Sequence, residues 1–149
     1  MNILNKLDKR MGELLEIEHY DSLNFSKELN IETLEKAREY ILQQMNYWKE
    51  CRAAFKQGVI MSETLYRKSR AEAEIKNMEE NKFSAVKAKL YAETDNQYLS
   101  DKQTYAEQVG SYEEAKCTFE LLQDRNRQLM QLIAGLREEE KFNRFLKSQ

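Results

Sequence analysis

Five aromatic residues, Tyr91, Tyr98, Tyr105, Tyr112 and Phe119, stand seven residues apart without exception. On a straight helix of about 3.6 residues per turn a strict period of seven drifts slowly round the axis, so a stripe kept this long predicts a left-handed supercoil with another helix. Nothing in the chain opposes that reading. None of its 149 residues is proline, where an average composition would supply about 7, and proline is the residue that helix interiors exclude. Charged residues make up 34% and hydrophobic ones 41%, a balance that suits long amphipathic helices better than one thick core. The expected fold is all-α: an elongated, coiled-coil-like helical hairpin or bundle with a long C-terminal heptad-bearing helix, forming a single domain over 1–149 and assembling as a homo-oligomer.

The element boundaries follow from caps and periodicity. Leu4, Leu7, Met11 and Leu14 recur at three and four and predict a helix over 2–18, followed by a turn from Asp21 to Ser26. Asn30 is a good N-cap for a second helix, 30–57, carrying Ile31, Leu34, Ile41, Met45, Trp48 and Phe55 at a/d spacing, with Gly58 as its stop. Arg38 and Arg52 fall at a-like positions of that helix, where they must either meet acids on the partner helix or snorkel to its edge. Ser62 can cap a third helix over 62–80, and Ser84 a fourth. Nothing firm then stops a helix until about Glu140, so 84–140 reads as one rod of about 85 Å. A globule of this length has a radius of gyration of only about 15 Å.

If the five rings are a positions, the d positions are Thr94, Asp101, Gln108, Ala115, Leu122, Leu129 and Leu136, with Ile133 returning to a after Asn126. Aromatics thus pair with polar or small residues in the first half and leucines take over in the second, which disfavours a plain two-stranded zipper. The expectation is that the rings pack on an aliphatic helix of the same chain, Ile31 to Phe55, leaving Leu122, Leu129 and Leu136 for neighbouring subunits. Rings so placed form core; base-stacking platforms also use aromatics, but present them on an exposed face.

Net charge is −2, too small to imply a partner. Its distribution is uneven. Residues 65–90 hold seven bases against four acids, a balance of +3; residues 93–124 hold eight acids against two lysines, a balance of −6; residues 125–147 hold six bases against three acids, again +3. The first basic segment, with Arg67, Lys68, Arg70, Lys82, Lys87 and Lys89 interleaved with Tyr66, Phe83 and Tyr91, has the ingredients of a single-stranded nucleic-acid site: cations for phosphate and rings for stacking. A solvated helix face accounts for the same charges.

Other chemistry finds little to build on. Cys51 and Cys117 are isolated thiols without a histidine or cysteine at metal spacing, and read as small packing residues. His19 is the only histidine and has no Ser, Asp or Cys pattern around it. The run Glu138, Glu139, Glu140 lacks a second carboxylate cluster. No enzyme, catalytic residue, metal or cofactor is expected. Apolar runs such as Val59-Ile60-Met61 are too short to span a bilayer and the N-terminus lacks a signal-peptide apolar block, so the expected location is cytoplasmic.

The stretch Ser84-Ala85-Val86-Lys87-Ala88-Lys89-Leu90-Tyr91-Ala92-Glu93, continuing to Tyr112-Glu113-Glu114-Ala115-Lys116 and a leucine-rich end, resembles small helical proteins of phage replication and recombination gene clusters. Through them it resembles recombination mediators of the UvsY type, found in T-even phages. Lys87-Ala88-Lys89-Leu90 is similar to that family's Lys-Ala-Arg-Leu element, associated with single-stranded DNA, and Leu90 to Asp95 to the start of its C-terminal assembly helix. The resemblance covers roughly 40–140. Two features depart from the family: the sequence pI is about 5.7 where a basic chain is expected, and the Gly-rich turn after the basic element is missing. The resemblance implies a non-enzymatic, ring-like oligomer that binds single-stranded DNA and helps load a recombinase onto strand covered by single-strand-binding protein. Lys87 and Lys89 carry over by motif; Arg67, Lys68, Arg70 and Lys82 join them by proximity and charge. The alternative is a phage helical interaction protein, such as a scaffold, chaperone or inhibitor of a host protein, with no nucleic-acid affinity.

Overall fold

The computed structural model describes residues 30–149. The helix expected over 2–18, the turn after it and His19 lie outside the described residues. Within them the chain is all-α, with three helices: α1 (Ile31–Glu79, 49 residues), α2 (Ala85–Ala92, 8 residues) and α3 (Asn96–Lys147, 52 residues). The long helices pair as a helical hairpin. No helix of the described residues is long and apolar enough to cross a membrane.

Three boundaries differ from the sequence reading. Gly58 does not end α1. The helix runs straight through it, and the amide end of the flexible Gln108 side chain lies over the space a Cβ would take. Ser62 caps nothing either; its buried hydroxyl donates back to the carbonyls of Gly58 and Val59, the usual way a serine is satisfied inside a helix. In the other direction, the rod expected over 84–140 is cut at Glu93–Asp95. The Asp95 carboxylate accepts from the N–H groups of Gln97 and Tyr98 at 2.9 and 3.1 Å, which caps a new helix and favours a break over continuation.

The chain divides into two compact units, one containing 30–48 and 117–149 and the other spanning Lys49–Lys116. In the first, the N-cap reading of Asn30 holds: its side-chain oxygen accepts from Glu32 N–H at 2.9 Å. Leu34, Ala37 and Ile41, at spacings of three and four, are fully buried against Leu122, Leu129 and Ile133. Each fully buried leucine or isoleucine contributes about 1.5–3 kcal/mol of transfer free energy, making this patch the main hydrophobic anchor of the unit. Arg137 pairs with Glu35 and Arg38 Nε donates to Asn126 Oδ1 at 3.2 Å, so the two helices run antiparallel here. Arg38 therefore meets an amide at the a position of α3, not an acid.

The leucines expected to face neighbouring subunits are thus used inside the chain. Leu122 and Leu129 are buried and Leu136 packs beside them. Two of the rings expected to lie on Ile31–Phe55 pack elsewhere. In the second unit Tyr98 is buried and Tyr105 half-buried, and both pack on Tyr66, with centroids 6.3 and 5.0 Å apart. The ring planes are inclined at 60° and 50°, between stacked and edge-to-face. Tyr112 and Phe119 are half-buried. Tyr91 is not on this helix at all: it sits on α2, half exposed.

Candidate nucleic-acid interface

The second unit carries the candidate site at the turn from α1 into α2. The last turn of α1 is closed by Glu80 N–H bonding to the Lys76 carbonyl, and Phe83 N–H then reaches back to the Asn77 carbonyl at 3.2 Å. Between them Lys82 adopts φ 53°, a left-handed conformation that favours glycine and holds a lysine only under strain. The chain is turned sharply by this residue and re-enters a helix at Ser84, whose extended backbone and side-chain oxygen cap α2 by accepting from Lys87 N–H. Ala88 and Ala92, one turn apart, are fully buried, and Asn77 donates to the Ala88 carbonyl at 3.4 Å. Only small side chains permit that approach, so the alanine pair seats α2 against the hairpin and fixes what its other faces present.

What α2 presents is an aromatic and cationic patch. Phe83, Lys87 and Tyr91 are spaced by four and share one side of the turn and helix. The rings of Phe83 and Tyr91 lie 4.9 Å apart at 52°, and Lys87 Nζ stands 4.1 Å from the centre of the first and 5.6 Å from the second. Such cation–ring contacts contribute about 0.5–1 kcal/mol at exposed sites, enough to organise the side chains without burying them. Val86 and Leu90 are exposed alongside.

The six cations singled out from the sequence separate into two groups. Arg67 pairs with Glu63, Lys68 with Glu72 at 3.6 Å, and Arg70 with both Glu93 at 2.7 Å and Glu74 at 3.5 Å. Hydrogen bonding to Tyr66, then the Glu63 charge, raises the Arg67 pKa above the ordinary guanidinium value. Lys82, Lys87 and Lys89 make no ion pair among the described residues, and all three are exposed. The motif lysines do not share a face, however. Lys87 and Lys89 flank the buried Ala88 on opposite sides, since residues two apart on a helix point about 200° apart. Lys87 belongs with the rings and Lys89 does not.

Sequence reasoning placed Tyr91 both in the structural ladder and among the rings of the basic segment; the signal that separates the two is Asp95 as an N-cap, which detaches 85–92 from the long helix. Arg70, expected at phosphate, instead holds Glu93, the first acid of the −6 segment, and so offsets the negative charge next to α2. Cys51 and Cys117 are free thiols. Among the described residues no group of three or more His, Cys, Asp or Glu side chains is placed to hold a metal ion. No protein-family model, curated protein or solved structure matches the chain.

Proposed function

We infer that the protein is a non-enzymatic single-stranded DNA-binding accessory of recombination, an oligomer that assists recombinase loading in company with single-strand-binding protein. The observation that carries the reading is the Phe83–Lys87–Tyr91 patch: two rings in contact, a cation over them, and lysines on the same turn and helix with no carboxylate partner among the described residues. A base stacks on a ring face and is sequence-tolerant in doing so, while the lysines answer the phosphates. The resemblance of Lys87-Ala88-Lys89-Leu90 to the mediator element supports the choice of a recombination role over other single-strand functions.

Titration of labelled oligo-dT at rising salt tests it. Tyr91→Ala is expected to weaken binding by about 1–3 kcal/mol, the worth of one stacked base, or about 5- to 150-fold. Lys87→Ala is expected to lower the slope of log K against log salt by about 0.7, and Lys89→Ala to act on salt dependence without loss of stacking. Absence of binding at low salt sinks the reading. It would leave the exposed Val86 and Leu90 as the contact surface of an interaction protein.

A further inference from the structure

The leucines that the sequence left for assembly are used inside the chain, and Tyr98 and Tyr105 pack there as well. Another stripe is left over on an exposed flank of α1. Ser62 and Ala73 point inward and are buried, while Met61, Leu65 and Ile75 are 61%, 52% and 50% exposed. Met61, Lys68 and Ile75 repeat every seven residues, and Leu65, Glu72 and Glu79 repeat every seven in step with them, four residues on. These are the alternating three- and four-residue steps of a coiled-coil seam, on an exposed flank of the helix.

The stripe is also its own complement. Leu65 and Ile75 lie equally far on either side of Arg70, as do Lys68 and Glu72, and Met61 and Glu79. We propose that this face is a homodimer seam, in which α1 pairs antiparallel with α1 of a second copy about a two-fold axis at Arg70. Leu65 then packs on Ile75 of the second copy, and Lys68 meets Glu72 of the second copy, twice per dimer, as an isologous interface requires. A parallel pairing sets Lys68 on Lys68 and Glu72 on Glu72 and is disfavoured by like charge. A different partner has no reason to match a stripe that reads the same under inversion. Within one chain Lys68 and Glu72 touch only loosely, at 3.6 Å with both side chains mostly exposed, so each is available to the other copy. Polar pairs at such a seam fix register and orientation more than they add affinity.

The seam spans about 27 Å, short for a coiled coil, and the dimer is accordingly concentration-dependent. Lys68 is assigned to subunit pairing and not to phosphate. The proposal stands apart from nucleic-acid binding, because Phe83, Lys87 and Tyr91 lie beyond the seam.

Sedimentation equilibrium of the full chain over a concentration series tests it. The wild type is expected to approach twice its 17.8 kDa mass. Lys68→Glu sets two glutamates against each other at both ends of the inverted pair, and is expected to weaken dimerisation about 100-fold, as like charges across an interface do. Lys68→Glu/Glu72→Lys restores the complement and is expected to restore the dimer, while Leu65→Lys abolishes it. Circular dichroism confirms that each variant keeps its helix; should Lys68→Glu lose it, Leu65→Lys and the double exchange decide. The proposal is overturned if the wild type stays at 17.8 kDa throughout, if association survives Leu65→Lys, or if the double exchange leaves association abolished.

Discussion

Residues 30–48 and 117–149 bury leucine and isoleucine, whereas Lys49–Lys116 bury alanine, serine and a single tyrosine, although the same two long helices supply both units. The first unit resembles a stretch of ordinary apolar hairpin, with Leu34, Ile41, Leu122 and Leu129 wholly withdrawn from water. The second is held by ring-on-ring contact at Tyr66 and by polar links: Ser69 to Asp101, Arg70 to Glu93, Asn77 to the Ala88 carbonyl. Large aliphatic side chains stabilise by the area they remove from water; small ones allow backbones to approach and leave the outer faces to polar and aromatic groups. The difference teaches that the unit with the weaker apolar core is the one with surface chemistry to offer, at α2 and on the exposed stripe of α1.

Core truncation is expected to have the largest effect. Leu129→Ala is expected to destabilise by about 2–5 kcal/mol, read as a lower midpoint in urea unfolding. Ala88→Leu, which forces a branched side chain between α2 and α1, is expected to cost about 1–3 kcal/mol by overpacking and to weaken oligo-dT binding by displacing the patch. An Ala88→Leu penalty as large as that of Leu129→Ala would show that the two units are equally tightly built. Asp101→Asn weakens the polar link to Ser69 and is expected to cost about 1 kcal/mol. Lys82→Gly removes left-handed strain, with an expected gain of up to about 1 kcal/mol in thermal unfolding despite the lost cation.

The smallest effect concerns pH. The hydrogen bond and charge of Lys36 hold the Glu32 carboxyl below its ordinary value of 4.5. Because the folded-state pKa is depressed, the pair stabilises at pH above the unfolded value and that contribution is lost as pH falls through the folded one. Glu32→Gln is expected to flatten a slight acid-side fall in melting temperature. A steeper fall in the variant would contradict the pairing.

The helical class, the Asn30 cap and the Leu34–Ile41 face were legible because each rests on local chemistry or on a period that one helix must satisfy alone. What was illegible depends on two helices at once. Gly58 looks like a stop until Gln108 is seen beside it, and the leucines look available until Leu34 and Ile41 are found against them. The ladder misled for a subtler reason: Tyr91 and Tyr98 keep the seven-residue spacing across Glu93–Asp95, where the helix itself is interrupted. The cations of the candidate site were visible in the sequence. Their separation into ion-paired and unpaired sets was not, because the acids that pair with them include Glu93, twenty-three residues from Arg70.

Single-stranded DNA is proposed to meet α2 and the turn before it. Ultraviolet cross-linking of the full chain to oligo-dT, followed by mass-spectrometric mapping, tests it most directly, since exposed rings elsewhere, at Tyr47, Phe142 and Phe145, offer rival sites. Adducts are expected to concentrate on Phe83, Lys87 and Tyr91 and to be lost in Tyr91→Ala. Adducts centred on Tyr47 or on Phe142 and Phe145, or none above a non-binding control, would contradict it.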